Sequence, residues 1–438
     1  MSLLRSEMRS ANVSIEAYAR RCVLITGLTL YFANVSTIVR GAEANAPSNE
    51  KLQLLSNFFE NEVTTGKISG AVVLIQQHGH PVYLKTFGMR DVRTNRIMTT
   101  QTIFALRSMT KPITSLAAML LIDAGKLSLD DPVAKYIPSF ADVKVVVEKG
   151  DADGEPYELV PAERQPTIRD LLLQTSGIAA DYVGSWVKKL YSEAQLLDGH
   201  FDNAGFAERI AKLPLTRQPG TFWRYGHSTD VLGRVIEVVS GETLFHFMKR
   251  SIFDPLEMTH TKFMLDTPEE LALMAEPLPS DVNLVDRERR RRSNPEWQSG
   301  GGGLVSTIFD YARFAQLLLD RGTFEGKRYL SPAAFKAMTT DQIGPGTGVG
   351  HDYLYFPGDG FGYGYGLAVR TSAGVTNQPG SLGELKWDSF SGTYVGIDPK
   401  LDMIYLLMEQ TDNERGPIKV AFRKLVYDAF TSNDIERR

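Results

Sequence analysis

The chain has 438 residues, of which 43% are hydrophobic and 23% charged, a balance that excludes a disordered or fibrous protein. A net charge near −4 and an isoelectric point near 6.0 give it no general attraction to nucleic acid. Its single cysteine, Cys22, excludes an internal disulfide framework and a multi-cysteine metal cluster.

The first 44 residues have the pattern of an export signal. Arg20 and Arg21 precede a mostly apolar stretch, 22–39, and Ala42-Glu43-Ala44 forms a small-x-small cleavage pattern. We expect cleavage near Ala44 and a periplasmic or secreted protein. The alternatives are an uncleaved membrane-surface anchor and a misassigned start codon, and without a functional signal the protein would be cytoplasmic. No later stretch reaches the roughly 20 apolar residues of a spanning helix, so we expect no membrane span in the mature protein.

The predicted elements form two groups of strands with helices between them. Their apolar patterns predict, in chain order, a helix at 48–65, strands at 70–76 and 81–87, a mostly helical region at 105–303, strands at 364–370, 393–398 and 403–409, and a helix at 417–430. This order predicts an α+β protein, an α/β sandwich whose antiparallel sheet is built from both termini and flanked by helices. We place a sheet-containing domain at 47–104 and 304–438, an inserted mainly helical domain at 105–303, and the active site at their interface.

The segment Ser108-Met-Thr-Lys111 stands at the head of an apolar-periodic run that ends at Gly125. It places a hydroxyl and an amine one helical turn apart, which is how a serine becomes a nucleophile without a histidine base. A second literal match, 185–188, is not followed by such an apolar-periodic run closed by glycine. Ser108 is therefore the candidate nucleophile, and Lys111 is the base or the partner of the base.

Several other motif-like segments favour structural interpretations. Gly226-His-Ser-Thr-Asp230 begins like a nucleophile elbow but ends in aspartate, and Ser228 is better explained as a helix N-cap. The run 300–303 lacks the lysine of a phosphate loop, and we expect its glycines to give the backbone freedom before a helix. Segment 173–177 is predicted to be a helix end stopped by glycine, without a catalytic role, and the basic run 287–292 to be a solvated loop.

Four features in one order resemble the serine β-lactamase and penicillin-recognising family, specifically its class C-like branch. They are Ser108-x-x-Lys111, Leu173-Gln-Thr-Ser-Gly177, Tyr225-Gly-His227 and the segment 383–393. In the last segment the chain has Trp387-Asp388-Ser389, which is most similar to the Trp-Gly-Gly of the family VIII type carboxylesterases. The Lys-Thr-Gly of β-lactamases is missing there, which disfavours lactamase activity. The resemblance covers the chain from about residue 50 to its end and implies a β-lactamase/transpeptidase-like fold.

The resemblance also implies roles for the site residues. Tyr225 would protonate the leaving alcohol and activate the deacylating water, sharing one proton with Lys111. Whether Lys111 or Tyr225 deprotonates Ser108 stays open. The oxyanion donors would be the backbone N–H groups of Ser108 and Phe390.

Four further residues are expected to form the substrate-binding surface. His227 replaces the asparagine of lactamases, and a hydrogen bond to substrate, a tuning effect on Tyr225 and a purely structural role are all open. Trp387 is expected to line the pocket, with Lys386 on the opposite strand face. Asp388 and Ser389 replace two glycines and are expected to crowd the strand edge beside the acyl pocket.

These residues predict a serine carboxylesterase that cleaves esters, with short-chain acyl groups expected, through an acyl-enzyme on Ser108. The alternatives are a D-alanyl-D-alanine carboxypeptidase, a weak β-lactamase, or a penicillin-binding sensor that does not turn over. We expect a small-molecule ester as substrate, no nucleic-acid partner and neither cofactor nor metal; the oligomeric state does not follow from the sequence. An apolar acyl or aryl pocket could draw on aromatic residues in loop-like stretches, namely Trp186, Tyr353, Tyr355, Phe356, Phe361, Tyr363 and Tyr365.

Overall fold

The computed structural model describes residues 46–149, 157–180, 185–196 and 200–430. The predicted export signal, 1–44, lies outside the described residues. The described residues fall into two units, 46–49 with 429–430, and Glu50–Asp428. In the described part of the first, the Ser48 N–H donates to Ala429 O at 2.8 Å. None of the helices in the described ranges is both long and apolar enough to cross a membrane.

The strands of the described chain fall into one large sheet and three small pairs. They are β1 Gly70–Gln77, β2 His80–Asp91, β3 Arg96–Ile97, β4 Phe104–Ala105, β5 Lys144–Glu148, β6 Tyr157–Pro161, β7 Val305–Ser306, β8 Thr323–Phe324, β9 Lys327–Arg328, β10 Phe361–Tyr363, β11 Ala368–Arg370, β12 Leu385–Asp388, β13 Tyr394–Asp398 and β14 Met403–Glu409. The large sheet has the order β10-β11-β12-β13-β14-β1-β2-β3 and is antiparallel throughout. Strands from the two ends of the sequence meet where β1 pairs with β14, with Leu74 opposite Leu406.

The helices surround this sheet. They are α1 Asn49–Thr64, α2 Thr110–Asp123, α3 Ile168–Leu173, α4 Ser185–Glu193, α5 Asn203–Ile210, α6 Ser228–Ser240, α7 Leu244–Met248, α8 Pro268–Leu273, α9 Val282–Ser293, α10 Ile308–Leu319, α11 Pro332–Thr339 and α12 Arg415–Phe430. On one face, Phe59 of α1 and Phe422 of α12 pack at 6.1 Å, and Phe422 lies 5.8 Å from Tyr405 of β14. Leu406 points the other way, into the core that α2 and α10 fill.

Every residue of β14 is buried, because helices cover both faces of the sheet. The predicted class, an α+β protein with an antiparallel sheet flanked by helices, is confirmed. The region predicted to be mostly helical also contains the strand pair β5–β6. The predicted strand 364–370 was wrong in its first half, because β11 begins at Ala368 and residues 364–367 form the turn that connects it to β10. The domain limits 47–104 with 304–438, and 105–303, stay a prediction.

Helix α2 lies at the centre of the core, with Ile113, Leu116 and Ala117 at most 1% exposed. It packs against α6, the helix that follows Tyr225. Gly125 has a φ of +67°, the left-handed conformation with which many helices end. The helical frame predicted after Ser108 is thereby confirmed.

Two local predictions were wrong. The basic run 287–292 belongs to α9 rather than to a loop, because Glu288 is buried and forms an ion pair with Arg107 that holds the helix against the body. Ser228 is the first residue of α6 rather than its N-cap, which is His227. The Ser228 hydroxyl instead shares a 2.8 Å hydrogen bond with Ser176.

Candidate active site

Ser108 lies in a short 3-10 turn, Arg107–Met109, that leads directly into α2. The buried Tyr311 hydroxyl donates to Met109 O at 3.0 Å and fixes the turn from below. Arg107 has a φ of 49°, a left-handed conformation that costs about 1–3 kcal/mol in a residue other than glycine. Packing against the turn therefore holds a strained backbone at the residue before the serine.

A cavity of about 660 Å³ opens at Ser108. The predicted site residues that line it are Ser108, Lys111, Tyr225, His227, Trp387, Asp388 and Phe390. Residues that stand far apart in the sequence thus meet at one surface. Ser389 is the predicted site residue that does not line this cavity.

Tyr225 is in direct contact with Ser108. Its hydroxyl donates to Ser108 Oγ at 2.6 Å, across 117 positions of sequence. The Lys111 ammonium lies 4.5 Å from the centre of the Tyr225 ring, a cation–π distance. Tyr225 and Ser108 are therefore within hydrogen-bond reach of each other, and the Lys111 ammonium lies over the tyrosine ring.

Lys111 is 4% exposed, and its ammonium donates to Gly301 O at 2.7 Å. The N–H of the same residue, Gly301, donates to Asp230 Oδ1 at 3.0 Å. One glycine thus connects the lysine to a buried carboxylate. Neither Gly301 nor Asp230 was predicted to support the site, because the contacts span 190 and 71 positions and no local pattern signals them.

Asp230 supplies the negative charge beneath the site. Burial raises the pKa of Asp230, but the His227 hydrogen bond and charge, the Lys111 charge and the Ser299 hydroxyl together hold it below the ordinary value. An ionised Asp230 stabilises the ammonium of Lys111 and the position of Gly301.

His227 is the partner of Asp230 in the cavity lining. Its Nδ1 contacts Asp230 Oδ2 at 2.9 Å, and its ring packs 5.4 Å from Phe206. The same residue lines the cavity, so Nε2 is the ring atom that the Asp230 contact leaves to face substrate or water. His227 therefore both contacts the buried Asp230 carboxylate and lines the cavity.

The backbone of the glycine run 300–303 packs so closely against neighbouring atoms that it leaves no room for side chains at Gly300 and Gly301. A Cβ on Gly301 would lie 2.5 Å from Asp230 Oδ2, and one on Gly300 would lie 2.6 Å from Thr229 O. None of these four described glycines has a positive φ. The expectation of backbone freedom was therefore wrong; the segment needs glycine because it packs tightly against α6.

Gln174 holds the segment that carries Tyr225. Its carbonyl accepts from the Arg224 N–H at 2.8 Å, and its side-chain oxygen accepts from the Gly226 N–H at 3.0 Å. Its amide also donates to Thr229 Oγ1 at 2.9 Å. The motif 173–177 was expected only to end a helix, and Gln174 itself, with a φ of 59°, is the left-handed residue that ends α3. The motif therefore also positions Tyr225.

Strand β12 presents Trp387 to the cavity. The Trp387 ring lies 6.0 Å from that of Tyr225, while the Lys386 ammonium lies 4.1 Å from the ring of Phe361, outside the cavity lining. Adjacent strand residues point to opposite faces, as expected. Burial lowers the pKa of Lys386 to about 8.

Asp388 lines the cavity and is ion-paired with Lys419. Ser389 is 4% exposed, and its hydroxyl shares hydrogen bonds with Ser391 at 2.9 Å and Thr393 at 2.7 Å. The expectation that Ser389 contacts substrate was wrong, because its side chain points into this hydroxyl cluster.

The hydroxyl cluster fixes Phe390 beside the nucleophile. Ser391 Oγ donates to Ala105 O at 3.3 Å, and Thr393 Oγ1 donates to Leu106 O at 3.2 Å. Both carbonyls stand just before Ser108 in the chain. The turn that contains Phe390 is thus tied to the turn that carries the serine.

One of the seven aromatic residues expected near an acyl pocket, Phe356, lines the cavity, with its ring 5.1 Å from that of Tyr225. Tyr353 is 91% exposed, and Trp186 packs against Tyr157 at 5.1 Å. Tyr225, Phe356 and Trp387 therefore form an aromatic wall of the cavity, and Phe263, Trp297 and Phe390 also line it.

Comparisons with known proteins identify the family of this chain. The model of the family described as Beta-lactamase matches residues 55–427. Lovastatin esterase of Penicillium rubens is 33% identical over 67% of this chain and 74% of its own. Esterase EstB of Burkholderia gladioli is 28% identical over 85% of this chain and 94% of its own.

Solved structures give the same result. The protein EstCE1, titled a hydrolase with promiscuous acyltransferase activity, superposes with a TM-score of 0.71 at 25% identity, over 86% of this chain and 98% of its own. The resemblance inferred from the four ordered motifs, and the fold that it implies, are confirmed. The chain belongs to the Beta-lactamase family and has a β-lactamase/transpeptidase-like fold.

Proposed function

We propose that the protein is a serine carboxylesterase that cleaves ester bonds through an acyl-enzyme on Ser108. The observation that carries this proposal is the 2.6 Å contact between Tyr225 and Ser108 beside the buried Lys111 ammonium. A hydroxyl that faces a titratable partner inside a cavity is an activated nucleophile. The esterase names of two relatives and one structural neighbour support hydrolysis of esters.

Acylation begins when Ser108 loses its proton to the Tyr225–Lys111 pair, which shares one proton in this scheme. The Ser108 oxygen attacks the ester carbonyl, and the backbone N–H groups of Ser108 and Phe390 stabilise the negative oxygen that develops. The short turn before α2 and the tied turn at Phe390 support this assignment, since both are held in place before substrate arrives. The tetrahedral intermediate then collapses as Tyr225 gives a proton to the leaving alcohol.

Deacylation repeats these steps with water as the nucleophile. Tyr225 removes a proton from the water, the water oxygen attacks the acyl carbonyl, and Ser108 takes back a proton as the acid leaves. The Asp230 carboxylate keeps its charge through both halves and stabilises each state in which Lys111 is an ammonium.

The cavity wall favours esters over β-lactams and peptides. Trp387 stands where lactamases have the lysine of Lys-Thr-Gly, and Lys386 next to it does not line the cavity. An aromatic wall accepts an apolar acyl or aryl group without requiring a charged partner. We propose short-chain acyl groups as the substrates and keep periplasmic or secreted export as a prediction.

The test compares para-nitrophenyl butyrate with a chromogenic cephalosporin, following turnover and covalent mass increase of the purified protein. We expect fast ester turnover that Ser108→Ala abolishes and little lactam hydrolysis. Ser185→Ala, in the second Ser-x-x-Lys match, is the control and should keep its activity. A stable lactam adduct without ester turnover would instead indicate a penicillin-binding sensor, and lactam or D-alanyl-D-alanine turnover would indicate the corresponding enzyme.

A further inference from the structure

The mouth of the cavity carries an excess of positive charge. Four cationic side chains from α9 and α12 line it, and we call them the cationic rim: Arg287, Arg290, Arg415 and Lys419. The acidic residues that line the same cavity are Asp230, Asp388 and Asp412. Aromatic and apolar contacts alone do not explain why so many cations surround an ester-cleaving site.

Each of these acids already has a cation or donor. Asp388 pairs with Lys419, Asp412 pairs with Arg415 at 3.3 Å, and Asp230 is bound by His227 and Gly301. Asp388 and Asp412 therefore neutralise Lys419 and Arg415, two of the four cations of the rim. A cation beside the cavity that no acid of its lining neutralises attracts an anionic ligand.

Within the cationic rim, Arg287 is the residue whose guanidinium N–H groups can bind a ligand. Within the described part of the chain no carboxylate forms an ion pair with it, and its guanidinium lies 4.7 Å from the centre of the Phe390 ring. A guanidinium held over an aromatic ring keeps N–H groups along its edge, in a fork that matches the two oxygens of a carboxylate.

Two contacts place Arg287 close to the reacting centre. The Phe390 ring beneath it belongs to the residue whose N–H we assign to the oxyanion site. Its neighbour Glu288 forms a buried ion pair with Arg107, the residue directly before Ser108. Arg287 thus contacts Phe390, the residue of one proposed oxyanion donor. Its chain neighbour Glu288 is paired with the residue before Ser108, the other proposed donor.

We propose that the substrate is an ester that carries a carboxylate, on its acyl or its alcohol part, and that Arg287 binds that carboxylate. This inference rests on the proposed esterase function and names its substrate class. The negative charge would lie at the mouth of the cavity, with the ester carbonyl at Ser108 and the apolar part against the aromatic wall. Arg287 acts as a specificity-determining residue that the chemical steps themselves do not require.

The test uses two pairs of esters that differ in charge. The first pair carries the charge on the acyl group: mono-para-nitrophenyl glutarate against para-nitrophenyl pentanoate. The second carries it on the alcohol: para-butyryloxybenzoate against its methyl ester. We expect the wild-type enzyme to prefer the anionic member of one pair, and Arg287→Gln to lower kcat/KM for that member about tenfold, with the neutral member unchanged. The pair that responds shows which part of the substrate carries the carboxylate.

Arg289→Gln is the matched control, because Arg289 lies on the same helix, is exposed and pairs with Asp286 at 3.2 Å outside the cavity lining. Arg287→Lys keeps the charge without the fork and should fall between the wild type and Arg287→Gln. Equal losses on both members of a pair, or no preference for either anionic ester, would overturn the proposal. Failure of the esterase function itself would show differently, as absence of turnover for the neutral esters too.

Discussion

Gln174 is hydrogen-bonded on both sides of Tyr225, through its carbonyl to Arg224 and through its side chain to Gly226. Gln174 and Tyr225 lie 51 positions apart, yet this pair of bonds fixes the backbone on which the phenol depends. The side chain is 1% exposed, so water cannot replace the bond to Gly226.

Gln174→Leu should therefore lower ester kcat/KM by about tenfold, because it leaves the Gly226 N–H without an acceptor and frees the Tyr225 segment to shift. Steady-state kinetics with para-nitrophenyl butyrate measure this. Gln53→Leu, at an exposed position on α1, is the control. Full activity in a folded Gln174→Leu enzyme would show that the segment needs no such clamp.

Tyr225→Phe should lower kcat by about a hundredfold or more, since it removes the group that exchanges protons with Ser108 and the leaving alcohol. Its far-ultraviolet circular dichroism should match that of the wild type, because the ring and its packing remain. Tyr353→Phe, on a side chain that is 91% exposed, is the control. An equal effect of the two substitutions would contradict the role of Tyr225.

Gly301→Ala should destabilise the protein by about 1–3 kcal/mol and reduce ester turnover, because the new methyl group collides with Asp230 and moves the carbonyl that holds Lys111. Urea unfolding and kinetics on the same preparation test both effects. At Gly302 a Cβ would meet its nearest atom at an ordinary 3.7 Å, so Gly302→Ala should cost less free energy of unfolding. The reverse order would show that close approach is not what requires glycine at 301.

The pH dependence of stability should reveal Asp230. Its pKa is lower in the folded protein than the ordinary value of 3.8, so its ionised form stabilises the fold above that pH. This contribution is lost as the pH falls through the folded pKa. We therefore expect the difference in free energy of unfolding between wild type and Asp230→Asn to be largest near neutral pH and to shrink below pH 3.8.

Urea titrations across this range measure the difference, and Asp142→Asn, at an exposed position, corrects for general effects of losing a carboxylate. A difference between wild type and Asp230→Asn that stays constant down to acid pH would mean that the pKa of Asp230 is the same in the folded and unfolded protein.

Glu288→Gln should destabilise the protein by about 3 kcal/mol, because it leaves the buried guanidinium of Arg107 without its carboxylate. The same change loosens α9 and with it the cationic rim. Thermal unfolding measures the loss, with Glu269→Gln on an exposed part of α8 as the control. Equal melting temperatures for wild type and Glu288→Gln would rule out the ion pair as the anchor of α9.

The sequence by itself determined the features that depend on local spacing. Helical periodicity put Ser108 one turn before Lys111 at the start of α2, and apolar runs located β1, β2, β13 and β14, because such patterns repeat every two or 3.6 residues. The order of the four motifs was enough to identify the family. The turn at Phe390 followed from that resemblance rather than from any local pattern.

Only the tertiary structure decided what surrounds these residues. The Lys111–Gly301 and Gly301–Asp230 bonds, the Gln174 clamp and the Arg107–Glu288 ion pair join positions between 50 and 190 apart. The glycine run looked like a source of freedom and proved to be a packing surface, and a basic run without apolar periodicity proved to be a helix. Local pattern carries no information about such partners, because the free energy that fixes them comes from burial and pairing of groups that meet only when the chain folds.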